Sequence, residues 1–130
     1  NPFCVILFDV DNFKRVNDEY GHDYGDVVLK NIAANVKKSI RKSDMLARWG
    51  GEEFVILLPS TSYEDGIQLA QKIRKKIEEL EYERIEKVTC SFGIVDYVKG
   101  DDEDSMLKRV DTFLYKAKHF GKNCVKYEER

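Results

Sequence analysis

The chain has 130 residues, 42% hydrophobic and 12% aromatic, enough for one domain with a real core. Charged residues make up 35%, yet the signs nearly cancel to a formal net charge of −2. That balance argues against a broad polyanion-binding surface and leaves room for a small basic site. No apolar run approaches membrane-spanning length, and no signal peptide is visible. Cys4, Cys90 and Cys124 are far apart, with neither pairing nor metal spacing. They read as buried free thiols of a reducing compartment. The two histidines are too few and too separated for a zinc site.

Asn1-Pro2-Phe3 leads straight into the first strand, so the chain is expected to be one domain, 1–130, excised from a longer protein. Residues 4–8 form a continuous apolar run, a central strand that Asp9 ends. Asp11 to Tyr20 reads as a short helix, followed by a turn at Tyr20-Gly21-His22. A second helix from about Gly25 to Arg41 carries Leu29, Ile32, Ala33, Val36 and Ile40 on one face. Met45–Trp49 and Phe54–Leu58 read as a hairpin about Gly50-Gly51, and Pro59 ends its second strand.

Ser62 and Asp65 make a capping-box-like start to a third helix, striped by Ile67, Ala70, Ile73, Ile77 and Leu80. Val88, Cys90, Phe92 and Ile94 alternate with Thr89, Ser91 and Gly93, which predicts a strand. After an acidic loop, Gly100 to Asp104, Leu107, Val110, Phe113, Leu114 and Ala117 stripe a fourth helix that Gly121 stops. Cys124 to Tyr127 closes the chain as a short strand. The order β-α-α-β-β-α-β-α-β predicts an α+β layer fold with a largely antiparallel sheet flanked by helices.

Gly50-Gly51-Glu52-Glu53-Phe54 is the most informative stretch. The glycines predict a tight turn with positive φ, or a place where a bulky ligand approaches the backbone. Two adjacent carboxylates at that turn, with Asp9 at a strand end, point to a hard divalent cation and a phosphorylated ligand. Each part alone has a bland reading. Acids such as Asp9 and Asp11 commonly end strands and cap helices. Lys118 and Lys122 near a helix end favour its dipole, and Arg41 with Asp44 reads equally as a surface ion pair. Asn17-Asp18-x-x-Gly21-His22-x-x-Gly25-Asp26 is either a helix stop and restart or a purine-reading segment. A carboxylate suits the N1–H and N2–H₂ edge of guanine.

Taken together these strings resemble the GGDEF-domain family, the diguanylate cyclases. GGEEF is an active-type variant of its signature. The resemblance includes F-D-V-D-N-F-K-x-x-N-D-x-x-G-H-x-x-G-D and V-D-x-x-L-Y-x-A-K-x-x-G-K-N, and covers essentially the whole chain. It implies a nucleotide-cyclase fold related to the ferredoxin-like polymerase palm. It implies that two GTP condense to cyclic di-GMP and two pyrophosphates, on two subunits meeting face to face.

By that resemblance Asp9, Glu52 and the Val10 carbonyl are magnesium ligands, two ions per site, with manganese able to substitute. Glu53 is a second-metal ligand or helps deprotonate the attacking hydroxyl, and sequence does not decide which glutamate is the base. Asn17 and Asp26 read guanine, with His22 in the same motif. The N–H groups of Asn12 and Phe13, Lys14, Lys118, Lys122 and the Gly50-Gly51 backbone hold substrate, and Lys14 and Lys118 set positive charge on the phosphates. Arg41 and Asp44 stand at the spacing of the family's R-x-x-D inhibitory site, where cyclic di-GMP binds back.

The family also implies a bacterial, cytoplasmic domain, an upstream sensor or receiver, any membrane anchor lying there too, and no nucleic-acid partner. Two departures stand out. The D-x-L-T-G-L-x-N-R segment that precedes the first strand in the family is absent, and Lys122 stands where the family commonly has Arg. The rival readings are a catalytically silent module that binds GTP or cyclic di-GMP, and a polymerase-type palm.

Overall fold

The computed structural model describes residues 2–130. Strand β1 (Phe3–Val10) leads into helices α1 (Phe13–Tyr20) and α2 (His22–Ser39). A hairpin of β2 (Met45–Arg48) and β3 (Glu53–Pro59) follows, then α3 (Tyr63–Glu78) and β4 (Cys90–Asp96). Helix α4 (Glu103–His119) and the short β5 (Val125–Lys126) complete the chain. Every element expected from the sequence is present, in the expected order.

The five strands form one sheet in the order β2-β3-β1-β4-β5. All neighbours are antiparallel except β4 and β5. Placing β1 at the centre explains its uninterrupted apolar run, since both its faces are covered. Alternation then sorts its side chains. Cys4, Ile6, Phe8 and Val10 join the core under α1, α2 and α3, whereas Val5 and Leu7 face Met106, Val110 and Leu114 of α4. Phe8 stacks between its ladder partners, with ring centroids 5.2 Å from Phe54 and 4.9 Å from Phe92.

Helix α4 lies directly on β4 at Gly93. A methyl group there would fall 2.6 Å from the Leu114 nitrogen and the Val110 carbonyl oxygen, both backbone atoms. The glycine therefore sets how close α4 comes to the sheet, and with it the position of the end of α4.

Several boundaries shift by two or three residues: α1 begins at Phe13, α2 ends at Ser39 and β4 begins at Cys90. Helix α2 begins at His22, so Gly25 lies within it rather than at its start. The expected acidic loop is shorter, because Asp102 and Ser105 form a reciprocal capping box that starts α4 at Glu103. At α3 only half the expected box forms: Ser62 Oγ accepts from the Asp65 N–H. Cys4 and Cys90 are buried free thiols and Cys124 is half-buried. Among the described residues no helix is long and apolar enough to cross a membrane.

Candidate active site

The ends of β1 and β3 bring the acids together. Asp9 pairs with Glu53 across the β1–β3 ladder and with Ser91 across β1–β4. Continuing the alternation of Val5 and Leu7, Asp9 turns toward the α4 side of the sheet. The Val10 N–H donates to the Glu52 carbonyl at 3.2 Å, which ties the start of β3 to the end of β1. Glu52 and Glu53 are both half-buried beside this junction.

The Gly50-Gly51 turn differs from the expected one. Neither glycine has positive φ, and the loop spans 49–52, one residue earlier than the 50–53 left between the expected strands. The N–H groups of Trp49 and Gly50 both donate to the Glu53 carbonyl, at 2.7 and 3.2 Å. Arg48 closes the loop from the side, its guanidinium donating to the Gly50 and Gly51 carbonyls. A methyl at Gly51 would meet nothing within 4 Å, and one at Gly50 only ordinary contact with Glu53. The fold thus does not need glycine at either position. The remaining reading is a backbone left bare for something that comes close.

The buried hub of the site is Asp11, not an ordinary strand-end or capping acid. The cap position of α1 is Asn12, at φ 57 and with no side-chain cap. Asp11 is 4% exposed and accepts from Thr89 Oγ1 (2.7 Å), Ser91 Oγ (2.6 Å) and the Asn123 N–H (3.0 Å). It also accepts from Lys118 Nζ at 3.1 Å. Thr89, just before β4, and Ser91 within it were the available signal: their shared face needed a polar partner.

Lys118 reaches from α4 across this cluster. Its ammonium pairs with Asp9 Oδ1 and Asp11 Oδ1, and lies 3.5 Å from the Val10 carbonyl oxygen. Lys122 donates to Asn12 Oδ1 at 2.8 Å, so both lysines reach the junction of β1 and α1. The first N–H groups of α1 have no carbonyl a turn earlier to donate to, and carry the positive end of its dipole. Lys14 is not brought here: its side chain is 91% exposed and pairs with Asp18 at 3.4 Å.

These environments shift the acids. Burial pushes Asp9 up to about 6; Lys118 opposes this, and Glu52 and Glu53 add to it. Glu53 is also raised, first by burial, then by the nearby charges of Asp111 and Glu52. Burial disfavours the Lys118 charge, but Asp9 and Asp11 outweigh it and raise the group.

On the other side of the hairpin, a cavity of about 370 Å³ is lined by Asp26, Leu29, Lys30, Ala33, Lys37, Leu46, Arg48 and Phe54. Nearby, Asn17 packs so tightly on α2 that a methyl at Gly25 would lie 2.0 Å from its Oδ1. That oxygen is buried and accepts no hydrogen bond. His22 is exposed at the first position of α2.

Arg41 and Asp44 lie beyond the other end of β2. Arg41 grips Asp44 through Nε (3.2 Å) and a terminal nitrogen (2.9 Å), and that nitrogen also donates to the Pro59 carbonyl and Thr61 Oγ1. The ion pair is therefore formed and braced against β3.

Asp9, Glu52, Glu53 and the Val10 carbonyl offer only oxygen donors, the set a hard cation takes. Among the described residues no three such side chains have yet converged as a finished metal cage. The donors nevertheless fit one: Asp9 Oδ1 is buried without a well-directed hydrogen bond, and a lysine ammonium already rests on it.

Comparison with known proteins agrees with this geometry. The family model described as diguanylate cyclase, GGDEF domain, matches residues 1–124. The chain is 40% identical over 123 residues to the diguanylate cyclase DgcM of Escherichia coli K12, covering 95% of this chain and 30% of that protein. It thus spans about a third of the length of this curated relative. Among solved structures, it is similar to the active GGEEF domain of a diguanylate cyclase from Vibrio cholerae, at TM-score 0.94 and 36% identity. That match covers 100% of this chain and 85% of the other. The GGDEF domain of DgcB from Caulobacter crescentus, in complex with c-di-GMP, is similar at TM-score 0.93 and 28% identity, covering 97% and 77%. The five-stranded sheet, the acids at the β1–β3 junction and these matches place the chain in the GGDEF family, the diguanylate cyclase domains.

Proposed function

We propose that this domain condenses two GTP into cyclic di-GMP and two pyrophosphates, each of two subunits contributing one GTP face to face. The observation that carries the reading is Asp9 opposite Glu53, beside a glycine loop that the fold itself does not require. In this reading Asp9, the Val10 carbonyl, Glu52 and Glu53 would hold two magnesium ions, with manganese able to substitute. Such ions, when bound, stabilise the charge that develops on attacking and leaving oxygens.

The chain's own residues do the rest. Amide hydrogens at Asn12 and Phe13, together with Lys118 and Lys122, receive the phosphates at the α1 N-terminus. Bare backbone at Gly50 and Gly51 lets the nucleotide lie against the hairpin. Asn17 and Asp26 read the guanine edge, and the orphaned Asn17 oxygen gains a donor when the base arrives. Glu53, already raised by its surroundings, is suited to take part in removing the proton of the attacking 3′-hydroxyl. Nucleotidyl transfer of this kind needs positioning and charge neutralisation more than covalent help.

We extend the reading to Arg41 and Asp44 as a site where cyclic di-GMP binds back. A guanidinium can bond guanine O6 and N7 bidentately, as it does in DNA. That this chain covers only 30% of the DgcM relative supports its being one domain of a longer protein, for which we propose an upstream sensor or receiver and a cytoplasmic location.

Glu53→Gln tests the assignment. It is expected to keep the melting profile of the parent and lose product formation. Near-parental turnover by a folded Glu53→Gln protein would remove Glu53 from the mechanism.

A further inference from the structure

One ammonium occupies the ground that the proposed cation needs. Lys118 Nζ rests on Asp9 Oδ1 and lies 3.5 Å from the Val10 carbonyl oxygen, two of the four proposed ligands. It has one other partner, Asp11 Oδ1, at 3.1 Å. Asp11 cannot leave: its carboxylate is fixed by Thr89, just before β4, by Ser91 of β4 and, from the turn after α4, by the Asn123 N–H. Its side chain is 1% exposed, so it is shut off from solvent cations. The lysine therefore has one partner that is free to exchange it and one that is not.

We propose that Lys118 is the counter-ion of Asp9 before metal and nucleotide bind, and that Asp11 is a positioning residue that keeps it close when Asp9 lets it go. Asp11 touches neither metal nor substrate in this account. It acts through Lys118, lowering the competition at Asp9 and leaving the ammonium beside the arriving phosphates. Without Asp11 the same ammonium has only Asp9 to neutralise. The cation must then displace an undivided ion pair. The inference rests on the reading of Asp9 and Val10 as cation ligands.

The test is a cycle of four proteins: parent, Asp11→Asn, Lys118→Met and the double variant. Each is titrated with Mn²⁺ alone, the free ion being followed by electron paramagnetic resonance, with Asp9→Asn as control. Asp11→Asn should weaken Mn²⁺ binding about tenfold, the size typical of losing a partner behind the ligands. Little loss, about twofold at most, is expected when Lys118 is already Met. An equal loss in both backgrounds would make Asp11 a distant charge only and overturn the proposal. So would unchanged binding in Asp11→Asn.

Should Asp11→Asn melt at assay temperature, Ser91→Ala probes the same link from the other side. Ser91 shares Asp11 Oδ1 with Lys118, so its removal leaves that oxygen to the ammonium. Mn²⁺ binding at least as tight as the parent's is expected, and weaker binding would overturn the proposal. If Asp9→Asn binds Mn²⁺ as the parent does, the ligand reading itself has failed, and the inference falls with it. A parent that binds Mn²⁺ through Asp9 but shows no dependence on Asp11 separates the two failures.

Discussion

Asp9 faces Glu53 across the β1–β3 ladder, a pair of carboxylates where cross-strand neighbours are normally apolar or of opposite charge. The arrangement works against folding. Burial first, and then the charges of Glu52 and Glu53, raise the Asp9 pKa in the folded protein to about 6. A raised carboxylate contributes stability that is fully present below its unfolded pKa and is lost as pH rises through the folded value.

Asp9→Asn should therefore melt higher than the parent at pH 7.5, by about 1–2 kcal/mol once solvent screening is allowed for. The advantage should shrink as pH falls from 6 toward 4, where parental Asp9 takes up its proton. Turnover should be lost throughout. Melting curves across that range check the sign, and a variant less stable than the parent at pH 7.5 would contradict it.

Gly51→Ala separates fold from function at the hairpin. The position has negative φ and open space around it, so stability should change by less than about 0.5 kcal/mol. Product formation should fall by about a hundredfold, the cost of holding a reactant an ångström out of place. Parental turnover would mean that no ligand approaches this backbone.

Asn17→Ala removes a buried oxygen that has no partner in the ligand-free protein. Its melting temperature should hold or rise. GTP binding should weaken by roughly 1–3 kcal/mol, the cost of a lost buried hydrogen bond, and preference for GTP over ATP should narrow. Calorimetric titration with both nucleotides decides this.

Gly93→Ala acts at a distance. Its methyl would collide with the backbone of α4, which must lift away from β4. Overpacking of this kind costs about 1–3 kcal/mol. It also displaces Lys118 on the same helix, so nucleotide affinity should fall together with stability.

Arg41→Ala addresses regulation. It should leave the catalytic rate intact, since Arg41 lies beyond the far end of β2, and should remove inhibition by cyclic di-GMP. Initial rates with and without added product measure this, and undiminished inhibition would exclude the site.

Much of this protein could be read in its sequence because most of its segments carry one clear period. The apolar run at 4–8, the alternation at 88–94 and the helical stripes at 67–80 and 107–117 each have one structural solution. What could not be read is where local rules compete with tertiary contacts. The glycine pair at 50–51 looked like a turn imposed by backbone sterics, yet Arg48 and the Glu53 carbonyl hold the loop with ordinary φ. Asp11 looked like a helix cap, yet it is a buried junction, because its partners Thr89, Ser91, Lys118 and Asn123 lie nearly 80 or more residues away. Lys14 is close to the phosphate site in sequence, and its exposed side chain pairs with Asp18. Contacts between distant polar residues carry no periodicity, so only the fold reveals them.

The most direct test is to fuse this chain to a dimerising coiled coil, supply GTP and magnesium, and identify the product by mass spectrometry. Cyclic di-GMP and pyrophosphate, formed from GTP without a primer, are the expected products. GTP bound by the dimeric fusion but recovered unchanged would contradict the cyclase reading and leave a nucleotide-binding module in its place.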